Sequence, residues 1–414
     1  MTGEDTPRLL TEVPGPESRS WIDRLAAREC PAITARRARR ASALGTADDD
    51  PIVWAAAVGS NVEDVDGNRF VDLTAGFGVA SVGHRNPAVV SAAKAQLDQL
   101  VHVMGDAFPD TSRVLLLERL AHLTGLDRAI LGSSGSDGIE AALKTGHIMS
   151  GRAKVLAFTG GYHGLSYGAL SVTGYHGDAF RAPFDAQLGD HVVRSEYGGP
   201  IPSLDDIGTV VVEPVQGRGG IRVPPRGWLE ALADRTRAAG AVLVFDEVYT
   251  GFGRTGDWFA YQHEGVKPDI VVLGKGMSGG FPISAAVGTA AAMDAWGASQ
   301  GEAIHTQTFL GHPVGCAMAL ATTSLLETII PAVRDTSAWL RSSLEARGYA
   351  VQGRGLMLGV ALPDTLAVSR ALLKRGFIIL PAGERAEVLG ITPPLTIHRD
   401  LLTAFMDALD EVTR

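Results

Sequence analysis

Residues 269–280 read DIVVLGKGMSGG, an apolar run of strand length that ends in one lysine held between Gly274 and Gly276. An ammonium at the tip of a buried strand is uncommon, because its lost hydration must be offset by a partner or a function. Two readings stand at this point. Lys275 is a solvated loop lysine, or it is an amine desolvated at a strand end, where its pKa falls and it can condense with an aldehyde as a Schiff base. The preceding apolar run, in AVLVFDEVYTGFGRTG (241–256), also ends in a charge, Asp246, with Glu247 directly after it. That carboxylate is either a cap on the turn or an acceptor for a protonated ring nitrogen.

Working outward, further apolar runs lie at 154–158 and 209–212, and the stretches 136–149 and 227–239 between them have helical periodicity. Strands alternating with helices predict crossover units, a mostly parallel sheet and ligands gathered at the carboxyl ends of its strands. Residues 61–325 are therefore read as a large α/β ligand-binding domain. The pattern then changes to a long helix over 326–347, strand-like runs at 357–361 and 376–380, and a terminal helix from about Arg399. This predicts a smaller α+β domain over 326–414. Residues 1–60 are rich in Pro, Arg and Asp and are read as an arm, with a short helix over 19–29, packing on the small domain or a partner.

At 414 residues, with 45% hydrophobic and 20% charged side chains, the chain is long enough for two or three domains at roughly 100–200 residues each, which excludes a disulfide-stapled or disordered protein. The 37 basic against 46 acidic residues leave a net charge of −9, with no footprint for a phosphate backbone. The basic run Arg36, Arg37, Arg39 and Arg40 is short, so nucleic acid is not an expected partner. Cys30 and Cys316 are the only thiols, which points to a reducing compartment and leaves no cysteine cluster for zinc. With no apolar leader and no uninterrupted run of about 18 apolar residues, the expectation is a cytoplasmic protein without a membrane partner. The lysines are Lys94, Lys144, Lys154, Lys267, Lys275 and Lys374, so amine chemistry has few candidates.

Two more segments carry chemistry. SSGS (133–136) stands between a short apolar run and a helical stretch, where small residues leave backbone amides free at a helix N-terminus to cradle phosphate. GGYHG (160–164) follows another strand and sets Tyr162 either to pack within the loop or to stack on a flat cofactor. Two look-alikes are set aside. GFGRTG (251–256) matches a dinucleotide fingerprint, but no helix follows it, and GLSYG (164–168) matches a nucleophile elbow, but its strand ends too far upstream.

Taken in order, PGPESR, DVDGNRFVDLTAGFGVASVGHRNP (64–87), SSGSDGIEAALK, FTGGYHG, VVEPVQGRGG, FDEVYTGFGRTG, GKGMSGGFP, TFLGHP and PPLTI resemble the class III (ω) aminotransferases. These are a branch of the fold-type I enzymes that use pyridoxal 5′-phosphate (PLP). The resemblance implies that Lys275 holds the cofactor and moves a proton at the substrate carbon, while Asp246 pairs with the pyridine nitrogen. It implies that Val248 and Tyr162 lie on the two ring faces, and that Ser134, Gly135 and Ser136 bind the phosphate. Thr308 would reach in from the neighbouring subunit, making a homodimer with shared sites. His163, Glu213 and Tyr249 fall in the cofactor's surroundings, and Phe77, Gly78 and Val79 line the substrate pocket.

The departures bear on substrate. Members acting on 4-aminobutyrate or ornithine usually have HGR, where this chain has Leu165 after His163 and Gly164. They have QGEGG where Arg218 stands here, and an arginine three positions before PPL where Gly390 stands here. That glutamate and arginine normally pair, and both are absent together, which points to a rebuilt pocket. Arg218, or Arg385 upstream of PPL, is either the carboxylate contact for a keto acid or a solvated arginine. Tyr249 replaces a usual glutamine, and Asp137, Gly138 and Ile139 depart from SGTEAN. The expectation is a ping-pong aminotransferase working between an amine, amino sugar or amino acid donor and a keto acid or aldehyde acceptor, other than a standard 4-aminobutyrate or ornithine enzyme. A racemase, epimerase or aminomutase on the same fold is the alternative.

Overall fold

The computed structural model describes residues 1–33 and 51–413; the basic run at 36–40 lies outside the described residues. The apolar runs form a seven-stranded sheet in the order Arg128–Gly132, Ser284–Gly288, Ile270–Leu273, Val242–Asp246, Ile207–Val212, Lys154–Phe158, Val192–Ser195. Only Ser284–Gly288 runs against the others. The strands at 207–212, 242–246 and 270–273 are buried along their whole length. Layers cover both faces of a parallel sheet, so such strands read as continuous apolar runs rather than alternating ones. The helix Gly135–Ser150 lies close enough on the sheet that a Cβ at Gly146 would stand 2.2 Å from Thr209 Oγ1. Because six strands share a direction, the segments after Gly132, Phe158, Val212, Asp246 and Leu273 all emerge on one edge.

The long helix runs over Pro313–Ala346, starting well before the expected position 326, so it crosses the expected domain boundary. Its first turns, PVGCAMALATTS, are small and weakly periodic, and Pro313 sits at the first helical position, where its missing N–H costs nothing. By length and composition this helix could cross a membrane. Here it packs on the helices Pro87–Gln99 and Thr111–Thr124, burying Val314, Cys316, Ala319, Leu326 and Ile330.

The C-terminal sheet is antiparallel, in the order Val351–Arg354, Met357–Ala361, Val388–Ile391, Leu380–Ala382. The single strand expected over 376–380 is split. Phe377–Ile378 leaves that sheet and pairs in parallel with Arg69–Asp72, placing Phe377 opposite Val71. It thereby becomes the fourth strand of an N-terminal sheet made by Trp54–Val58, Asn61–Asp64 and Arg69–Asp72. The boundary expected at 60/61 cuts the hairpin Trp54–Val58/Asn61–Asp64, whose turn carries Gly59 at φ 56°. The short N-terminal helix forms over Pro16–Ala26, a few residues ahead of its expected place, because Pro16 starts it.

Candidate active site

The edge where the parallel strands end encloses a cavity of about 350 Å³, lined by Lys275, Asp246, Glu213, Tyr162, His163, Arg218, Val248, Tyr249, Val79 and the SSGS turn. A wider groove of about 580 Å³ between the 219–222 loop and the C-terminal sheet contains neither Lys275 nor Asp246.

Lys275 follows its strand in a single tight turn at φ 41°, a left-handed conformation that costs a side-chain-bearing residue energy and is held only where the surroundings impose it. Burial pushes its ammonium pKa down to about 8, aided by Arg218 and opposed by Asp246 and Glu213. Its Nζ lies 4.0 Å from the centre of the Tyr249 ring.

Asp246 is buried at the end of its strand. One carboxylate oxygen accepts from His163 Nδ1 at 2.8 Å and the other from the Val248 amide at 3.0 Å. Burial alone would lower the pKa of His163. The hydrogen bond and charge of Asp246, joined by the charge of Glu213, outweigh that and raise it, which favours the protonated imidazole as donor to Asp246. Glu213 accepts from the amides of Tyr162 at 2.8 Å and Gly217 at 3.0 Å, which ties the loop after 158 to the loop carrying Arg218. Burial, with the charge of Asp246, pushes the Glu213 carboxyl up to about 7, against His163 and those two amides.

At the helix start, Ser134 Oγ accepts from the Asp137 amide while Asp137 returns a carboxylate oxygen to the amides of Ser133 and Ser134, both at 2.9 Å. The capping box consumes those donors and leaves the first-turn amides of Gly135 and Ser136, which have no carbonyl within the helix, facing the cavity. Gly164 lies so close that a Cβ there would stand 2.0 Å from Ser136 Oγ. An amide cradle at one end, a buried carboxylate at the other, an amine between them and an aromatic wall fit the phosphate, ring nitrogen, aldehyde and face of PLP.

Arg218 stacks its guanidinium on Tyr162 at 4.2 Å and on Tyr175 at 5.1 Å, the two rings meeting edge to face, and it forms no salt bridge among the described residues. Arg385 is exposed in the turn before Val388–Ile391, where its backbone N–H donates to the Glu387 carboxylate at 2.9 Å, and it does not line the cavity. Of the two arginines weighed for a carboxylate, only Arg218 lines the cavity. Thr308 is exposed and does not line the cavity of its own chain, although the neighbouring Gln307 accepts from Ser133 Oγ at 3.0 Å. Leu165 and Phe77 are also exposed. Ala75, Gly76, Phe77 and Gly78 are consecutive left-handed residues, at φ 48°, 56°, 64° and 81°. Asp72 holds that turn by accepting from Thr74 N at 2.7 Å, Thr74 Oγ1 at 2.6 Å and Gly76 N at 2.9 Å, with His84 Nε2 at 2.7 Å.

Sequence reasoning missed three contributors: the His163–Asp246 ion pair, Tyr175 beneath Arg218, and Asp72 behind the substrate turn. Only Asp72 had a local signal, as a carboxylate closing the short run RFVD just before the turn.

The sequence model of the family described as Aminotransferase class-III matches residues 45–197 and 202–413. Among curated relatives, the acetylornithine aminotransferase of Streptomyces coelicolor is 38% identical over 363 residues, 85% of this chain and 88% of that protein. The acetylornithine aminotransferase of Mycobacterium tuberculosis is 36% identical over 393 residues, 92% of this chain and 96% of that one. Among solved structures, the ornithine aminotransferase of Toxoplasma gondii superposes with a TM-score of 0.81 at 26% identity, covering 95% of this chain and 97% of that one. A PLP-bound amine transaminase from an uncultivated Pseudomonas species gives 0.80 at 28% identity, covering 88% and 95%. The expectation of a substrate other than those of the ornithine enzymes finds no support in these names.

Proposed function

Because the chain belongs to the class III aminotransferases, PLP enzymes of fold type I, we propose that it runs two half-reactions at Lys275, taking an amino group from a primary-amine donor and passing it to a carbonyl acceptor that carries a carboxylate. The observation behind this reading is the meeting of the Lys275 amine with the buried Asp246 carboxylate in one cavity. When bound, PLP supplies the aldehyde that captures an amine and the electron sink that lets a C–H bond ionise.

The chain's own residues divide the remaining work. Gly135 and Ser136 offer amides to the phosphate. Asp246, oriented by His163 and the Val248 amide, holds a negative charge for a protonated ring nitrogen. Tyr162 and Val248 would wall the ring's two faces. Lys275, with its pKa near 8, is roughly one-tenth free base at neutral pH and charged otherwise, so it can both remove and return a proton at the donor carbon. Arg218, which has no salt-bridge partner among the described residues, receives the acceptor's carboxylate.

The exposed apolar side chains Leu97, Leu100, Val101, Met104, Phe108, Ile304 and Phe309 support a second copy of the chain as the partner, bringing its Thr308 toward the phosphate. With Leu165 in place of a second arginine, the favoured donor is an amine without a distal carboxylate; the relatives' names favour a second reading, N-acetylornithine. The test is a donor panel read by the loss of PLP absorbance in the first half-reaction, comparing carboxylate-free primary amines with N-acetylornithine, ornithine and 4-aminobutyrate. Preferred turnover of 4-aminobutyrate or ornithine would overturn the donor reading, and a Lys275→Ala protein that still turns over would overturn the mechanism.

A further inference from the structure

Tyr249 stands where the class usually has a glutamine, and its ring occupies a slot that two distant glycines make possible. A Cβ at Gly78 would stand 2.5 Å from one ring carbon, and a Cβ at Gly217 would stand 2.3 Å from another, across the ring. The hydroxyl is fixed at 3.1 Å from Thr392 Oγ1, at the end of the strand Val388–Ile391. Three segments far apart in sequence therefore clamp one ring, and Lys275 Nζ rests 4.0 Å from its centre. The other charges acting on Lys275 are Asp246, Glu213 and Arg218.

We propose that Tyr249 is a positioning residue for Lys275: its ring, locked between Gly78 and Gly217 and tethered by Thr392, carries the lysine ammonium whenever that amine is free of covalent engagement, and returns it to the same place for each proton transfer. A cation over an aromatic face is held by the ring quadrupole, which favours the charged form over the neutral amine. The ring therefore opposes the burial that lowers the Lys275 pKa, and it does so through its face rather than its hydroxyl. The hydroxyl serves the ring, by way of Thr392. The inference rests on Lys275 being the reacting amine and adds a task for a residue that does not itself exchange protons.

The experiment uses the full-length enzyme loaded with pyridoxamine phosphate, which leaves Lys275 uncombined. The rate of acetylation of Lys275 by acetic anhydride is followed by peptide mass spectrometry across pH 6 to 10. Tyr249→Phe keeps the face and loses the hydroxyl; Tyr249→Leu keeps an apolar neighbour and loses the face. A cation–π contact worth about 0.5–1 kcal/mol predicts that the labelling midpoint in the Leu variant falls by roughly 0.4–0.7 pH units, while the Phe variant stays within about 0.2 of the wild type. Gly217→Ala, which drives a methyl into the ring, shifts the midpoint in the same direction as the Leu variant. Because the Leu variant removes a packed ring, thermal melting of each loaded variant accompanies the titration. If that variant fails to fold, the comparison of Gly217→Ala with the wild type carries the test. An unmoved midpoint in the loaded Leu variant, or a Phe variant that shifts as far as Leu, overturns the proposal. Failure of the wild type to take up the cofactor would overturn the functional reading beneath it instead.

Discussion

Replacing Arg218 by Met tests how the acceptor is recognised. The unbranched thioether keeps most of the aliphatic packing on Tyr162 and Tyr175 and removes the guanidinium that stacks on them at 4.2 and 5.1 Å. A bidentate, charge-assisted contact to a carboxylate contributes about 1.5–3 kcal/mol, so kcat/KM for a keto acid should fall roughly 10- to 150-fold. An aldehyde acceptor of similar size without a carboxylate has no such contact to lose. Arg218 also lowers the Lys275 pKa, and its removal lets that value rise for both acceptors alike. The ratio of the two kcat/KM values at one pH cancels this effect. The assay is the second half-reaction, followed by return of PLP absorbance with 2-oxoglutarate or pyruvate against an uncharged aldehyde. Equal losses on both acceptors, or no loss on either, would refute the assignment and leave Arg218 a structural brace between two tyrosines.

Three further outcomes are expected. Burial pushes the Cys316 thiol up to about 12 while Cys30 is exposed, so a thiol reagent at pH 8 should modify one cysteine in the folded protein and both after denaturation. Asp246→Asn should weaken retention of PLP, measured by dialysis, and lower stability by roughly 1–3 kcal/mol in urea unfolding of the cofactor-free chain. Its pH dependence has a defined sign: the His163 pKa is raised by folding, so the pair's contribution is full below the unfolded value near 6.5 and is lost as pH rises through the folded one. The gap between wild type and variant should therefore narrow from pH 6 to pH 9, and a widening gap would contradict a charged His163. Gly164→Ala places a methyl against Ser136 Oγ and should reduce PLP affinity, read by equilibrium titration, more than it changes the melting temperature of the cofactor-free chain.

The parallel strands were legible because full burial leaves them continuously apolar, and Lys275, Asp246 and Tyr162 stood out as candidates because each lies at the end of such a run or within a few residues of it. Ser284–Gly288 was missed: apart from Val287 its residues are Ser, Ala and Gly, which carry little strand preference, and its place is set by pairing with two neighbours. The start of the helix at Pro313 was hidden by small residues whose packing partners lie some two hundred positions earlier in the chain. At the site, the exposure of Arg385 depends on how one turn closes, and the slot of Tyr249 depends on glycines at 78 and 217. Neither follows from local pattern. Departures at 165, 218, 249 and 390 set the expectation of a rebuilt pocket; of these positions 218 and 249 line the cavity, and 165 and 390 do not.

The pairing of Phe377–Ile378 with Arg69–Asp72 sets a timetable for biosynthesis. The strand at 69–72 leaves the ribosome roughly 300 residues ahead of its partner, a delay on the order of 15 to 60 s at about 5–20 residues per second. For that interval the N-terminal hairpin sheet presents an open hydrogen-bonding edge, the kind of surface that recruits another nascent chain. Crowded translation of this message should therefore favour aggregation more than refolding of the finished chain does.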